Sequence, residues 1–185
     1  SPDELLAAAA RKRDLLDPLE PSDAEIGILL DRAWDLKTAA VAPARVLQIL
    51  ETTARFYESA FGGSWAHEHL LLRFGQDITG DPRFRPGYSP SGWTTLIDHL
   101  RSQGVTAQEM IAAGVAKATV NGRLTDRFRD RAVLPVITDE RVIGFVGRRN
   151  PDATDAKAGP KYLNSPDTVV FHKGAQLYGI TDDHM

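Results

Sequence analysis

Residues 122–150 read GRLTDRFRDRAVLPVITDERVIGFVGRRN. Two runs rich in β-branched residues, Ala132 to Ile137 and Val142 to Val146, flank Thr138-Asp139-Glu140-Arg141. That pattern predicts a β-hairpin. The loop between the runs has neither Gly nor Asn, so the sequence alone assigns it no primed two-residue turn. Around the hairpin sit seven arginines within 27 residues: Arg123, Arg127, Arg129, Arg131, Arg141, Arg148 and Arg149.

Upstream the texture is helical. Leu5 to Leu16 is rich in Ala and Leu and ends at Asp17-Pro18. Ser22 and Glu25 form a capping-box pattern ahead of Ile26, Leu29, Leu30, Ala33 and Trp34, which share one helical face. A helix from Ala44 to Ala60 aligns Leu47, Leu50, Ala54 and Tyr57 and ends at Gly62-Gly63. Further helices are predicted from Ser64 to Phe74 (stopped by Gly75), from Thr94 to Leu100, and behind the Thr106/Glu109 capping box. Downstream, residues 150–159 are a polar loop, and Val169 to Phe171 is a candidate last strand. The whole predicts an α+β fold: N-terminal helices followed by a small, mostly antiparallel or mixed β-sheet.

Composition narrows the chemistry. The absence of cysteine excludes disulfides and Cys-based zinc or redox sites. No HExxH, GxGxxG, Walker-type loop or Gly-x-Ser-x-Gly elbow occurs. His67 and His69, two apart on a predicted helix, diverge and cannot chelate one metal. No apolar run reaches membrane-spanning length, and a cytoplasmic, membrane-free protein is expected. The net charge of −3 conceals a strong asymmetry. Residues 1–82 carry −6, residues 83–149 carry +5, and residues 150–185 carry −2. A basic middle in an acidic chain suits a polyanion, although a solvated charged surface would look the same.

The basic blocks have two readings each. In an extended RFRDR segment, Arg127, Arg129 and Arg131 share one side and could match successive phosphates. They could equally pair with Asp126, Asp130 and other acids. In PKYLNSP (160–166), Lys161 offers a point charge, Tyr162 a ring, and Asn164 both donor and acceptor. Arg148 in GRR and Lys173 in FHKG are weak signals alone.

Order and spacing add information. RFRPGYSPSGWTTLIDHL (83–100), AAGVA (112–116), GRLTDRFRDRAVLPV (122–136), IGFVGR (143–148), PKYLNSPDT (160–168) and FHKGAQLYG (171–179) follow one another as in a known family. Together they resemble the N-terminal subdomain (Toprim_N-like) of the catalytic core of bacterial DnaG-type DNA primases. The resemblance spans about residues 46–180, leaving 1–45 as a helical extension and 181–185 as a tail. It implies that Arg83, Arg127, Arg129, Arg148, Lys161, Asn164 and Lys173 contact single-stranded DNA, with Tyr162 and Phe128 as rings on which bases could stack. It also implies that the Mg2+ ions of primer synthesis belong to a Toprim domain, expected after this segment and absent from it. No catalytic or metal-binding residue is therefore expected here. The alternative is a primase-like adaptor domain of a mobile element, docking a replicative helicase through its acidic helical part. The hairpin loop departs from the family by being shorter and lacking its glycine, and the loop between Arg149 and Lys161 is longer.

Overall fold

The computed structural model describes residues 41–153 and 159–172. The predictions for the segments 5–16 and 22–34, for the 181–185 tail and for Lys173 lie outside the described residues. Helix α1 spans Pro43–Ser59 and α2 spans Trp65–Phe74; α3 (Thr95–Ser102) and α4 (Ala107–Ala112) are shorter. Strands are β1 (Gly87–Ser89), β2 (Ala116–Ala118), β3 (Leu124–Asp126), β4 (Arg131–Thr138), β5 (Arg141–Arg149) and β6 (Tyr162–Asn164). The main sheet has the order β1-β4-β5-β6 and is antiparallel throughout, while β2 and β3 pair by themselves. The fold is α+β, with helices preceding a small antiparallel sheet.

Residue parity divides the main sheet into two faces. Side chains alternate along a strand, and partners opposite in register share a face. Val133 and Phe145 point to one face, where α1 buries Val46, Ile49, Leu50, Thr53, Ala54 and Tyr57. Leu50, Ala54 and Tyr57 of the predicted stripe are buried, while Leu47 is only half-buried and Val46, Ile49 and Thr53 widen the buried face. Leu96, Ile97 and Leu100 of α3 and Met110 of α4 complete this core. Burying each such aliphatic side chain contributes about 1.5–3 kcal/mol at most. Ala132 and Leu134 point to the other face, against Ala66 and Leu70 of α2, together with Phe61, Ile78 and Tyr88. The sheet is thus covered on both sides.

The helix signals behave as the local chemistry requires. Pro43 occupies the first turn of α1, where its missing N–H costs nothing. The Ser64 hydroxyl caps α2, and Gly75 ends it with φ 68°, a left-handed conformation that favours glycine. Thr106 and Glu109 form both halves of their capping box.

The hairpin is longer than the hydrophobic runs suggested, since both strands extend into polar residues. Thr138 pairs directly with Arg141, and Asp139 (φ 49°) and Glu140 (φ 62°) are both left-handed. The connection is a two-residue turn with both central φ values positive, built without Gly or Asn. Its register absorbs one irregularity between Val136 and Ile137. The predicted strand at Val169 to Phe171 does not form. Among the described residues the last strand is Tyr162–Asn164, and Phe171 instead packs as a buried ring beside Gly144. Strands β1, β2 and β3, three residues each, are too short to show a period in sequence.

Candidate nucleic-acid interface

The site is assembled from the end of β5, from β6 and from the segment joining β3 to β4. Arg148 lies opposite Tyr162 in register, on the α2 side of the sheet. Its Nη1 donates to the Tyr162 hydroxyl at 3.2 Å, and its Nε donates to His69 Nε2 at 2.8 Å. Tyr162 is 51% exposed. The Lys161 ammonium and the Arg148 guanidinium each lie 5.6 Å from its ring centroid. Asn164, two residues along the same strand, is also exposed, and its main-chain carbonyl accepts from Arg127 Nη2 at 3.1 Å and Nε at 3.3 Å. Arg127, Asn164, Tyr162, Lys161 and Arg148 therefore form one chain of neighbours.

Arg129 extends it. Its guanidinium lies 3.3 Å from the ring centroid of Trp93, whose side chain is 64% exposed. Nε and Nη2 also donate to the carbonyls of Ser91 and Gly92. A stacked guanidinium keeps in-plane donors for an anion.

The acids interleaved with these arginines have other partners. Both carboxylate oxygens of Asp126 accept from main-chain N–H groups at the start of α3, Leu96 at 2.9 Å and Ile97 at 3.0 Å. Burial nevertheless pushes its carboxyl above the usual range. Asp130 accepts from Trp65 Nε1 at 2.7 Å and from the Tyr88 hydroxyl at 2.8 Å. Among the described residues no carboxylate lies within ion-pair distance of Arg127, Arg129, Arg148 or Lys161. By contrast, Arg45, Arg55, Arg83, Arg85 and Arg101 are all ion-paired. Burial holds the Arg127 guanidinium below its ordinary value. An approaching anion would compensate that desolvation.

Two readings from the sequence need correction, those of Arg131 and Phe128. Arg131 does not line up with Arg127 and Arg129. Asp130 takes a φ of 47°, which breaks the extended alternation, and the Arg131 side chain turns inward. It is 3% exposed and donates to the carbonyls of Gly147 and Pro160. Phe128 is 1% exposed and packs edge-on against Phe145, so its ring is core and offers no face to a base. Arg83 is exposed and ion-paired with Asp81 at 2.7 Å, and among the described residues no contact joins it to the other cations. Trp93 and His69 were not singled out as site residues. Trp93 had a legible signal, an aromatic in a Gly/Ser loop beside basic blocks. His69 had none, because its partner is 79 positions away.

Primer synthesis requires metal ions on the reacting phosphates. No group of three or more His, Cys, Asp or Glu converges among the described residues. These residues do not fit Mg2+; they offer fixed positive charge and aromatic surface.

The sheet end of this α+β domain gathers cations and aromatic surface, an arrangement that suits a polyanion. The family profile described as DNA primase catalytic core, N-terminal domain, matches residues 62–184, and the chain belongs to that family. The DNA primase of Pseudomonas aeruginosa is 36% identical over 137 residues, 71% of this chain and 20% of that protein. The Escherichia coli K12 DNA primase is 42% identical over 99 residues, covering 53% of this chain and 16% of that protein. The chain thus spans about a fifth of the length of these curated relatives or less. Among solved structures, the RNA polymerase domain of Mycobacterium tuberculosis primase DnaG, in complex with a double-stranded DNA oligomer with a 6-nucleotide overhang, aligns with TM-score 0.63 and 30% identity, covering 71% of this chain and 41% of that one. The DnaG primase catalytic domain bound to ssDNA aligns with TM-score 0.59 and 34% identity, covering 74% of this chain and 44% of that one.

Proposed function

We propose that this chain is the template-holding part of a DNA primase, and that single-stranded DNA runs over Arg127, Arg129, Arg148 and Lys161. The observation that carries the reading is that these four cations lack carboxylate partners among the described residues, although acids stand between them in sequence. Evenly distributed surface charge would have been neutralised locally, as at Arg83 and Arg85. Tyr162 and Trp93 supply flat surfaces that accept any base, so binding is weakly selective for sequence. The neighbouring primase domain solved with ssDNA supports the same reading.

Primer synthesis itself, and the Mg2+ it needs, are assigned to the whole primase outside these residues. A helicase partner would engage the acidic N-terminal part, most of which lies outside the described residues. Binding is tested by fluorescence anisotropy with a labelled oligo(dT) against salt. With about four phosphates engaged, each contributing a slope near −0.7, affinity falls roughly fifty-fold between about 50 and 200 mM salt. The double change Arg127→Ala, Lys161→Ala should flatten that slope. Salt-independent binding, or a slope the double variant leaves intact, overturns the proposal.

A further inference from the structure

We propose that His69 takes up a proton when the phosphate chain of single-stranded DNA settles on Arg148, so that the grip of this face on DNA tightens as pH falls. The inference rests on the single-strand reading above and goes beyond it by adding a proton to the complex.

The geometry is specific. His69 stands on α2, which packs against β1 and β4, and its Nε2 receives Arg148 Nε at 2.8 Å. An atom accepting that bond carries no proton, so the free protein holds the neutral imidazole protonated at Nδ1. The bond occupies Nε of Arg148, and Nη1 donates one hydrogen to the Tyr162 hydroxyl, which leaves Nη2 and the second Nη1 hydrogen to meet phosphate. A phosphate seated there lies within a few ångströms of the imidazole.

The charges around His69 set the sign. From its own helix, Arg73 opposes protonation; from β5, Arg148 does the same. Among the described residues only Asp152, in the loop after β5, favours it. From β1, Tyr88 stays un-ionised up to about 12 with its hydroxyl on Asp130. The Trp65 ring, 6.1 Å away, is uncharged. Burial first, then the two arginines, hold the imidazole below its usual value in the free protein. A bound phosphate neutralises Arg148 and adds negative potential, which raises that value. Between the free and bound values the complex carries more protons than the free chain, so affinity rises as pH falls through that window. Once protonated, His69 releases Arg148 and becomes a further donor to the strand.

The other described histidines are differently placed. His67 already faces Asp77, His99 stacks on Phe56 and meets Gln103, and His172 is exposed beyond β6. Their contributions persist in a His69 variant and cancel in the comparison.

The experiment uses the full 185-residue chain. Binding of oligo(dT) carrying a rhodamine label is followed by anisotropy from about pH 8 to about pH 5.5 at constant low salt. Thymine and the phosphodiester do not titrate in that range. Wild type should tighten about three- to tenfold, the response to a shift of up to about one unit, and His69→Gln and His69→Asn should lose most of that increment. Circular dichroism at each pH establishes that the variants are folded. In parallel, the imidazole carbon-bound proton of His69, followed by NMR, should titrate at higher pH with the strand present. If both variants keep the wild-type increment, or the His69 resonance titrates identically with and without strand, the inference fails while the single-strand reading stands. If wild type binds no strand at any pH, the single-strand reading fails and takes this inference with it.

Discussion

The guanidinium of Arg129 lies 3.3 Å above the indole of Trp93, and both belong to segments with no regular secondary structure. Planarity, not charge alone, makes this contact. Arg129→Lys should therefore keep the salt slope yet weaken oligo(dT) binding about two- to fivefold, the worth of an exposed cation–π pair of about 0.5–1 kcal/mol. Anisotropy at two salt concentrations separates the effects; an unchanged affinity would show that the stack has no part in binding.

Two aromatic residues should behave in opposite ways. Phe128 is core, so Phe128→Ala should cost about 3–5 kcal/mol in urea unfolding. Tyr162 is half-exposed, so Tyr162→Ala should leave the unfolding midpoint within about 0.5 kcal/mol of wild type. It should instead lose about 1–3 kcal/mol of oligo(dT) affinity. A stable Phe128→Ala protein would contradict the packing described.

Gly147 sits where β5 passes over Phe128 and Arg131. A methyl group there would approach Phe128 Cδ1 to 2.7 Å and Arg131 Cδ to 2.9 Å. Gly147→Ala should destabilise the fold by about 1–3 kcal/mol through overpacking. Because Arg148 follows directly, it should also displace a cation of the candidate site, visible as weaker binding under conditions where the variant is still folded.

Acid should weaken the joint between α1 and α4. Glu109 is held down to about 2, chiefly by the Arg45 guanidinium and then by the Thr106 N–H. A depressed carboxylate stabilises the fold above its unfolded value, near 4.5, and that contribution disappears as pH falls towards about 2. Unfolding free energy measured across this window should fall less steeply in Glu109→Gln than in wild type. Equal slopes would mean that the Arg45 pair contributes nothing.

Breaking the Arg85 fork should be costlier than breaking an ordinary surface pair. Arg85 bridges Glu51 at 2.9 Å and Glu58 at 2.6 Å, tying α1 to the segment entering β1. Arg85→Ala should lose about 1–2 kcal/mol by urea titration, less than a fully buried pair because both acids remain partly hydrated. A loss under about 0.3 kcal/mol would reduce the fork to surface decoration.

Helices α1 to α4 were legible because their signals are local: a capping box, a glycine stop and a 3.6-residue stripe all lie within a few positions. The β4–β5 hairpin was legible from two β-branched runs, and the order of the basic blocks carried the family resemblance. The three-residue strands were not legible, because pairing that short is decided by the partner strand. The two-residue turn at Asp139-Glu140 was not either, since the sheet imposes its positive φ values on residues that do not favour them.

By itself, then, the sequence determined the α+β class, the basic middle and most of the candidate cations, since charge, period and breakers are properties of neighbouring residues. Only the tertiary structure decided which cations are uncompensated. Asp126 turned to a helix end and Asp130 to two aromatic donors, while the backbone at Asp130 sent Arg131 inward and left Arg127 and Arg129 outside. Each of those choices depends on contacts between residues about 30 to 65 positions apart, which local spacing does not encode.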